Sequence, residues 1–586
     1  MNSDRRRLRR TWMTFFSRYG RLLPVQSRTI PVVLAGKDAI IVSATASGKT
    51  EAVIAPLIER YLKEGWGVAG VRGRDTMSCR DDTRGIAILY ISPTKALVND
   101  MHDRLKGQLD ELEVSVSIKT GDTPRFNPNK SPDVLITTPE SFDSMICRHP
   151  GAFKSVRAVI LDEIHLIDNT YRGDQLRLLL KRLKHISATD FNVYALSATI
   201  ACPEDVGSRY LGDFEVITDS SKREIDYTLV ESAEELYDCV RKENIQKLLI
   251  FCNKRATVEE FSRECVDLWG SDHAVVHHGS LSKSIRGEAE SFMKDAQYGV
   301  CVATMTLEIG IDIGDIDAIV LAEVPWSISS LLQRIGRGSR RMPRNRVFAL
   351  YASADEQMLL ERMFHVAMAG RVESVDYSHD PSVVVQQVFS LLYASPGGLT
   401  DHHIRNLFEE FCSEDELKDI LKHLVKSEWI GKWHEKWSAT TKLMDLGAKG
   451  EIHSNIPSNK VVAVINVDSK QTIGEVQYPI DEIFVLGGRV WRIVRESFDR
   501  VYVKPAKARV AAAKFKSHES EGAFSYLLPA HLMESESKKW YTPDLSEIAD
   551  VVDVTDDCEN DSDSGVANIF DTTIRLDSAA AYKRVK

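Results

Sequence analysis

The residues best able to do chemistry stand in a short polar segment behind an apolar run. Residues 43–50 follow the apolar residues 39–42. At a strand-to-helix turn of this kind, backbone amides and Lys49 attract phosphate oxygens, and the hydroxyl of Thr50 can hold magnesium. Ser43 replaces the glycine that usually begins such a loop, so an ordinary turn is the alternative. The predicted nucleotide-binding residues of this segment are Thr45, Ala46, Ser47, Gly48, Lys49 and Thr50.

A second polar segment supplies the carboxylates that such chemistry needs. Asp162 and Glu163 follow the apolar run 159–161. Asp162 is predicted to reach the magnesium, and Glu163 to orient and deprotonate the attacking water. An acidic pair behind a strand is by itself often only a solvated strand end. Because ligands gather at the carboxyl ends of parallel strands, the two segments together predict a site that hydrolyses a nucleoside triphosphate with Mg²⁺.

Buried parallel strands are predicted wherever short apolar runs are bounded by turn residues. One set comprises residues 39–42, 86–91, 134–137, 158–161 and 193–196, and a second set comprises 247–252, 274–277, 300–303, 318–322 and 347–351. Amphipathic stretches separate the runs. Each set therefore predicts a doubly wound parallel-sheet α/β domain.

A dense cluster of arginines belongs to the second set, at residues 334–341. Arginine carries a delocalised, fork-shaped charge, so the cluster could stabilise a phosphoryl transition state across a cleft between the two sheets. A solvated basic surface helix is the alternative. The arginines of this cluster are therefore candidate catalytic residues.

The pattern changes after the second set. Amphipathic helical segments between 385 and 424 precede Trp429, Trp433 and Trp437, an order that suggests a winged helix. The tryptophans could stack on bases, but filling of the small core is favoured. Residues 461–506 alternate apolar and polar positions, which predicts a small β-barrel-like module.

The predicted domain boundaries follow these changes of pattern. They are a basic N-terminal segment at 1–20, α/β domains at 21–220 and 221–375, a winged helix at 380–448, a β-rich module at 455–510, and an unassigned tail at 511–586 with an acidic stretch at 550–563. The modules after the second domain offer no candidate hydrolytic residue. We therefore expect a chain ending near Val372 to fold both sheets.

The overall charge neither supports nor excludes a nucleic-acid partner. The formal net charge is −10 and the pI is near 5.9, but phosphate binding depends on local charge. No apolar run approaches the ~20 residues of a membrane span. The nine cysteines include no Cys-x-x-Cys pair, which argues against a zinc cluster. We expect a cytoplasmic protein with reduced thiols and no membrane partner.

Nine segments stand in the order of the motifs of superfamily 2 helicases. The matches are 43–50 to motif I, 93–97 to Ia, 137–141 to Ib, 162–165 to II, 197–199 to III, 250–253 to IV, 277–280 to a phosphate-contacting turn, 304–312 to V and 333–341 to VI. More narrowly, the chain resembles the Lhr (large helicase-related) family in residues 137–141, 307–314, 454–457 and 486–492. The resemblance implies two tandem RecA-like domains, followed by a winged helix and a β-module that line a nucleic-acid channel.

The resemblance also implies an activity and residue roles. It implies an ATP-dependent helicase or translocase of the DExH-box type, moving 3′-to-5′ on single-stranded DNA or on a DNA/RNA hybrid. Gln26 would read adenine, and Gly310 and Asp312 would meet the nucleotide. In motif VI, Arg337 and Arg340 would be the catalytic arginines, and Arg341 competes with Arg340 for the finger position, the place of the arginine that contacts the transferred phosphate. Strand phosphates would be contacted by Thr94, Lys95, Thr138, His278 and Thr304. For each threonine an ordinary helix N-cap is the alternative. A remodeller without strand separation and an inactive nucleic-acid-binding scaffold are the rival functions.

Overall fold

The structure is a computed structural model. It describes residues 2–44, 47–63, 85–123, 126–198, 200–219, 224–307, 313–338, 344–373, 377–457, 461–477, 480–497, 499–506 and 522–533. Among the helices of these residues, none has the length and apolar character that a membrane crossing requires.

Seven parallel strands form the sheet of the first domain. In chain order they are β1 (Asp38–Val42), β2 (Ile88–Ile91), β3 (Val116–Lys119), β4 (Val134–Thr137), β5 (Ala158–Leu161), β6 (Asn192–Ser197) and β7 (Phe214–Thr218). They pair in the order β3-β4-β2-β5-β6-β1-β7. The helices are α1 (Asn2–Arg7), α2 (Trp12–Phe15), α3 (Pro24–Ala35), α4 (Lys49–Lys63), α5 (Lys95–Glu111), α6 (Pro139–Arg148), α7 (Tyr171–Ile186) and α8 (Pro203–Tyr210). The inner strands are buried on both faces, which explains their unbroken apolar runs.

The basic N-terminal segment is part of this first domain rather than a separate arm. Leu8, Phe15 and Phe16 are buried in the domain core. The buried carboxylate of Glu59 in α4 accepts a hydrogen bond from the backbone N–H of Thr11 at 3.1 Å. The predicted boundary at residue 20 therefore does not divide two separate units, because the residues before it pack into the first domain.

Six parallel strands form the sheet of the second domain. They are β8 (Glu224–Val230), β9 (Lys247–Phe251), β10 (Ala274–His277), β11 (Gly299–Ala303), β12 (Ala318–Leu321) and β13 (Arg344–Leu350), in the order β10-β11-β9-β12-β13-β8. The helices are α9 (Ala233–Lys242), α10 (Arg255–Trp269), α11 (Lys283–Asp295), α12 (Ile328–Ile335) and α13 (Ala354–Ala369). Both sheets are thus the two RecA-like parallel sheets that the sequence predicts.

Residues 377–457 form a third unit, called the helical module below. Its elements are α14 (Ser382–Ala394), β14 (Leu399–Thr400), α15 (Asp401–Phe408), α16 (Glu414–Lys426), β15 (Ile430–Trp433), β16 (Lys436–Ala439) and α17 (Thr441–Lys449). A helix, a short strand, two helices and a hairpin follow one another, and the winged helix stays a prediction. Its core includes Tyr171 and Leu178 of α7, and also Phe524, just before α18 (Ala530–Met533).

Residues 461–506 form the fourth unit, called the strand module below. Its strands are β17 (Val461–Asn466), β18 (Thr472–Gln477), β19 (Ile483–Leu486), β20 (Arg489–Glu496) and β21 (Arg500–Pro505), in the order β18-β17-β21-β20-β19. Its apolar face shares one core with the second domain: Phe484 and Trp491 lie in the same cluster as Phe261. An isolated bridge also pairs Leu281 of the second domain with Gly474 of β18.

Candidate active site

The predicted phosphate-binding segment, residues 43–50, is called the phosphate turn below. It joins β1 to α4, as the sequence predicts. Lys49 begins α4 and is buried. Its Nζ donates hydrogen bonds to the carbonyl oxygens of Ser43 at 2.9 Å and Ser197 at 2.7 Å, so the ammonium lies between β1 and β6. The buried hydroxyl of Ser47 makes no hydrogen bond within the described residues. A hydroxyl, an ammonium and the first amides of a helix therefore converge at one strand end, a donor set that suits phosphate.

Asp162 and Glu163 follow β5 at the same edge of the sheet. Burial and the neighbouring charge of Glu163 raise the pKa of Asp162. Burial would also raise the pKa of Glu163, but the charges of Lys49, His165 and Arg337 hold it below its usual value. The two adjacent carboxyls thus differ in electrostatic environment, as two groups with different tasks would.

Glu163 lies near Lys49 of the phosphate turn, and one of its carboxylate oxygens makes no hydrogen bond within the described residues. Its backbone has a φ of 43°, an uncommon conformation for a non-glycine residue. Its Oε2 lies 3.9 Å from Nζ of Lys49 and makes no hydrogen bond within the described residues. A buried acceptor of this kind is suited to a water molecule, because an unsatisfied buried carboxylate oxygen is costly.

His165 connects the carboxylate strand to its neighbour β6. Its Nδ1 accepts a hydrogen bond from the backbone N–H of Ala198 at 3.2 Å and lies 3.2 Å from Oγ of Ser197. Burial lowers the pKa of His165 to about 4. The ring is therefore neutral near pH 7, and its accepting nitrogen ties residues 162–165 to the end of β6.

Gln26 lies against the phosphate turn and is not a solvated surface residue. It is 6% exposed, and its Oε1 accepts a hydrogen bond from the backbone N–H of Leu23 at 2.9 Å. Its Nε2 donates to the carbonyl of Gly48 at 3.4 Å. Gly48 has a φ of 80°, and a Cβ there would lie 2.3 Å from Gln26 Nε2, so only glycine fits this contact.

The second domain contributes Arg337, just after α12. Arg337 is buried, and its charge acts on the pKa values of both Glu163 and His165 in the first domain. Glu373 holds the N-terminus of α12. Its carboxylate accepts hydrogen bonds from the backbone N–H groups of Ile328, at 3.0 Å, and of Ser329. Arg337 therefore lies close enough to the first domain's site for its charge to act there, and Arg334 and Arg337 are buried rather than solvated.

Several predicted site residues lie outside the described residues. They are Thr45 and Ala46 of the phosphate turn, Gly310 and Asp312 of motif V, and both candidates for the finger position, Arg340 and Arg341.

The predicted strand-contacting threonines of the first domain are helix N-caps. Oγ1 of Thr94 accepts from the backbone N–H of Leu97 at 3.2 Å at the start of α5, and Oγ1 of Thr138 accepts from Ser141 at 3.4 Å at the start of α6. An accepting hydroxyl keeps its own hydrogen. The N-cap role and a donor bond to a phosphate are therefore compatible.

Two other predicted contacts differ in their exposure. Lys95 has a half-exposed side chain whose Nζ lies 2.6 Å from Oδ1 of Asp122. Thr304 is buried at the end of β11, and its Oγ1 lies 3.4 Å from the hydroxyl of Thr306. The structure thus presents the Lys95 ammonium to solvent more openly than the Thr304 hydroxyl.

His278 does not face solvent, which corrects the sequence-based interpretation of its side chain. It is fully buried, and its Nε2 lies 2.8 Å from Oε1 of Glu259. Glu259 also accepts hydrogen bonds from the backbone N–H groups of Gly487 at 2.6 Å and Gly488 at 2.7 Å in the strand module. The side chain of His278 therefore supports an interface inside the molecule and cannot contact a strand.

Known protein families match the two parallel-sheet domains. The profile of the DEAD/DEAH box helicases matches residues 23–206, and that of the helicase conserved C-terminal domain matches residues 231–342.

Among curated proteins, the chain is similar to ATP-dependent helicase Lhr-Core of two archaea. It is 28% identical to the Sulfolobus acidocaldarius protein, over 84% of this chain and 61% of the relative. It is 29% identical to the Methanocaldococcus jannaschii protein, over 84% of this chain and 62% of the relative. The chain therefore spans about three fifths of the length of these relatives.

Two solved structures share its fold. The Mycobacterium smegmatis helicase Lhr bound to ssDNA and AMP-PNP superposes with a TM-score of 0.64 at 23% identity, covering 77% of this chain and 62% of that chain. The DUF1998 helicase MrfA bound to DNA gives a TM-score of 0.67 at 20% identity, covering 85% of this chain and 73% of that chain.

Proposed function

We propose that the chain is an ATP-dependent helicase. The premise is that it belongs to the superfamily 2 DExH-box helicases and resembles the Lhr family core. In this proposal it tracks 3′-to-5′ along single-stranded nucleic acid, with DNA as the preferred strand. ATP closes the cleft between the two sheets, and hydrolysis reopens it.

The residues at the end of β1 and β5 fit the chemistry of ATP hydrolysis. Lys49 binds the phosphates, and Glu163 orients and deprotonates the attacking water. Thr50 and Asp162 are both buried, both act on the pKa of the Tyr90 hydroxyl, and would hold Mg²⁺, because a hydroxyl and a carboxylate offer the oxygen ligands that this cation takes. Mg²⁺, when bound, neutralises charge on the phosphate oxygens. Gln26 lies where it would meet the adenine, and Gly310 with Asp312 completes the nucleotide contacts.

The observation that carries the proposal is the position of Arg337. Its charge acts on Glu163 although the two residues belong to different domains. A buried arginine facing the carboxylate that prepares the water is placed to stabilise the charge of the transition state. Arg340 is the proposed second arginine, with Arg341 as the competitor.

The strand is proposed to lie along the carboxyl ends of the strands, at Thr94, Lys95, Thr138 and Thr304. Helix N-termini with hydroxyl donors and a nearby ammonium position phosphates without reading bases. The similar Lhr and MrfA structures hold ssDNA and DNA. A cytoplasmic location stays a prediction.

The test compares Lys49→Ala with Glu163→Gln. We expect both to abolish ATP turnover, but only Glu163→Gln should retain nucleotide binding, because it leaves the phosphate-binding groups intact. Arg337→Ala and Arg340→Ala should lower turnover roughly 10³-fold with little change in nucleotide affinity, and Arg341→Ala should be milder. Turnover near the parent rate in either of the first two variants would contradict the assignment.

The choice between the helicase and its rivals depends on the DNA that stimulates turnover. Single-stranded DNA should stimulate ATP turnover more than duplex DNA, and duplexes with a 3′ tail should be unwound. Stimulation by duplex alone, without unwinding, would favour a remodeller. Strand binding without turnover would favour the inactive scaffold.

A further inference from the structure

We propose that Arg172 is a positioning residue that holds two helix N-termini at a fixed spacing for contact with neighbouring phosphates of the strand. The inference rests on the proposed function, because it assigns to Arg172 an effect on the strand-contacting threonines. Arg172 stands in the first turn of α7, the helix that follows Glu163 and His165 along the chain.

One guanidinium joins the two segments that carry the threonines. Nη2 of Arg172 donates to the carbonyl oxygen of Pro93 at 2.5 Å, directly before the N-cap Thr94. Nε donates to Oε1 of Glu140 at 2.6 Å, in the first turn of α6 behind the N-cap Thr138. The strands that precede these helices, β2 and β4, are neighbours in the sheet. Arg172 therefore bridges the starts of α5 and α6 beyond the ends of adjacent strands.

The geometry requires arginine rather than any cation. The planar guanidinium makes both bonds at once in a rigid fork, whereas an ammonium on a flexible stem fixes no relative orientation of its two acceptors. The side chains of Arg172 and Glu140 are 18% and 15% exposed, so water competes little for these bonds.

Arg172 also neutralises a charge that would oppose the strand. The carboxylate of Glu140 stands in the same first turn that Thr138 caps, where a phosphate would approach. An unpaired carboxylate there would repel the phosphate. Loss of Arg172 would thus have two consequences: the two helix starts would no longer be held together, and a negative charge would become uncompensated.

The test measures strand affinity for Arg172→Gln and Arg172→Lys in the full chain. Fluorescence anisotropy with a single-stranded DNA oligonucleotide, repeated over a salt titration, gives affinity and salt slope. We expect Arg172→Gln to bind about tenfold more weakly with a shallower slope, since fewer phosphates are contacted. Arg172→Lys keeps the charge but not the forked guanidinium. It should bind about threefold more weakly than the parent, which is half of the tenfold loss on a logarithmic scale.

ATP turnover separates positioning from catalysis. The DNA concentration for half-maximal stimulation should rise about tenfold in Arg172→Gln. Turnover without DNA, and at saturating DNA, should stay within about twofold of the parent. In a background with Thr94→Val and Thr138→Val, Arg172→Gln should weaken binding by clearly less than tenfold, because the part of its effect that passes through those hydroxyls is already lost and only the charge of Glu140 still acts.

Arg346 provides a matched control. It pairs with Glu243 through Nε at 2.7 Å, and its side chain is 17% exposed. It stands near the amino end of β13, at the edge of the second sheet opposite the strand contacts. Arg346→Lys should therefore disturb a similar ion pair without changing strand affinity.

Three outcomes would overturn the inference alone, and a fourth would overturn the proposed function with it. Parent-like affinity in Arg172→Gln would remove the positioning role while the proposed function stood. An equal loss in Arg346→Lys would reduce the effect to general destabilisation. Full additivity with the threonine variants would mean that Arg172 contacts the strand itself. A parent protein that bound no strand would overturn the proposed function as well.

Discussion

The helical module and the strand module are attached to different parallel-sheet domains, each around one buried carboxylate. Asp143 in α6 of the first domain is fully buried and holds the helical module. It accepts hydrogen bonds from Gln175, Arg182, Gln386, Gln387 and Ser390. Burial would raise the pKa of Asp143, but His453, Arg182 and Ser390 hold it below its usual range. This interface is centred on a network of polar side chains, beside the apolar contacts that Tyr171 and Leu178 of α7 make with the module.

The strand module is held mainly by apolar contacts instead. Glu259 accepts hydrogen bonds from the backbone N–H groups of Gly487 and Gly488, and the apolar residues around it belong to one core with the second domain. A polar network tolerates no missing partner, because each loss leaves a buried charge uncompensated. A shared apolar core loses stability in proportion to the area exposed. The two modules should therefore respond differently to the same type of change.

The largest effect is expected from ending the chain near Val372. The sequence alone suggested that both sheets would still fold. The shared core contradicts that expectation for the second domain, because removal of Val462, Phe484 and Trp491 exposes the apolar surface that they cover. At about 1.5–3 kcal/mol for each large side chain, the loss approaches the whole stability of a domain. Chemical denaturation of the short chain should show no parent-like transition for the second domain, and a parent-like midpoint would contradict the shared core.

Asp143→Ala should release the helical module. It leaves the guanidinium of Arg182 buried without its carboxylate, which costs about 3–5 kcal/mol. Hydrogen exchange should increase in α14 and stay unchanged in β20. Asp143→Asn keeps the shape and serves as the milder control. Faster exchange in the strand module would show that the two interfaces are not independent.

The helical module should also weaken at high pH. Burial lowers the pKa of His453, but its pairing with Asp143, 3.6 Å away, raises it, and the result is about 9. Because this value exceeds the unfolded value near 6.5, the stabilisation is complete below about pH 6.5 and is lost as pH rises through about 9. The expected loss is about 3 kcal/mol. Denaturation at pH 6.5 and 9 should show it, and His453→Gln should remove the difference.

The smallest effect is expected for Glu259→Gln. An amide can accept from only one side, so one of the two glycine N–H groups loses its partner at a cost of about 1–3 kcal/mol. The apolar core should keep the strand module in place. Exchange should rise at Gly487 and Gly488 without detachment of β20. Release of the whole module would show that the carboxylate, and not the core, holds it.

The sequence was informative where local pattern decides the structure. The runs that became β1, β4 and β5 are unbroken because these strands are covered on both faces, and the polar segments behind them mark the site. The edge strands β3, β7 and β8 were missed, since they are half-exposed and lack a long apolar run.

Long-range partners could not be predicted. Asp143 and Glu259 look like solvated charges on helices, because the partners that join them to the two modules lie more than 200 residues away along the chain. The same limit applies to His278. Its motif predicts a phosphate contact, but its ring is buried against Glu259. Among the tryptophans, Trp429 and Trp437 fill the core as favoured, whereas Trp433 at the hairpin tip is 76% exposed.

The core shared by the second sheet and the strand module has a consequence for biosynthesis. The hydrogen bond between Glu259 and Gly487 joins residues 228 positions apart, so the second sheet leaves the ribosome long before the strands that complete its core. Contacts of such sequence separation form slowly, and incompletely covered apolar surface favours aggregation. During synthesis the nascent second domain must wait, with its apolar surface open to chaperones, until residues 461–506 have emerged.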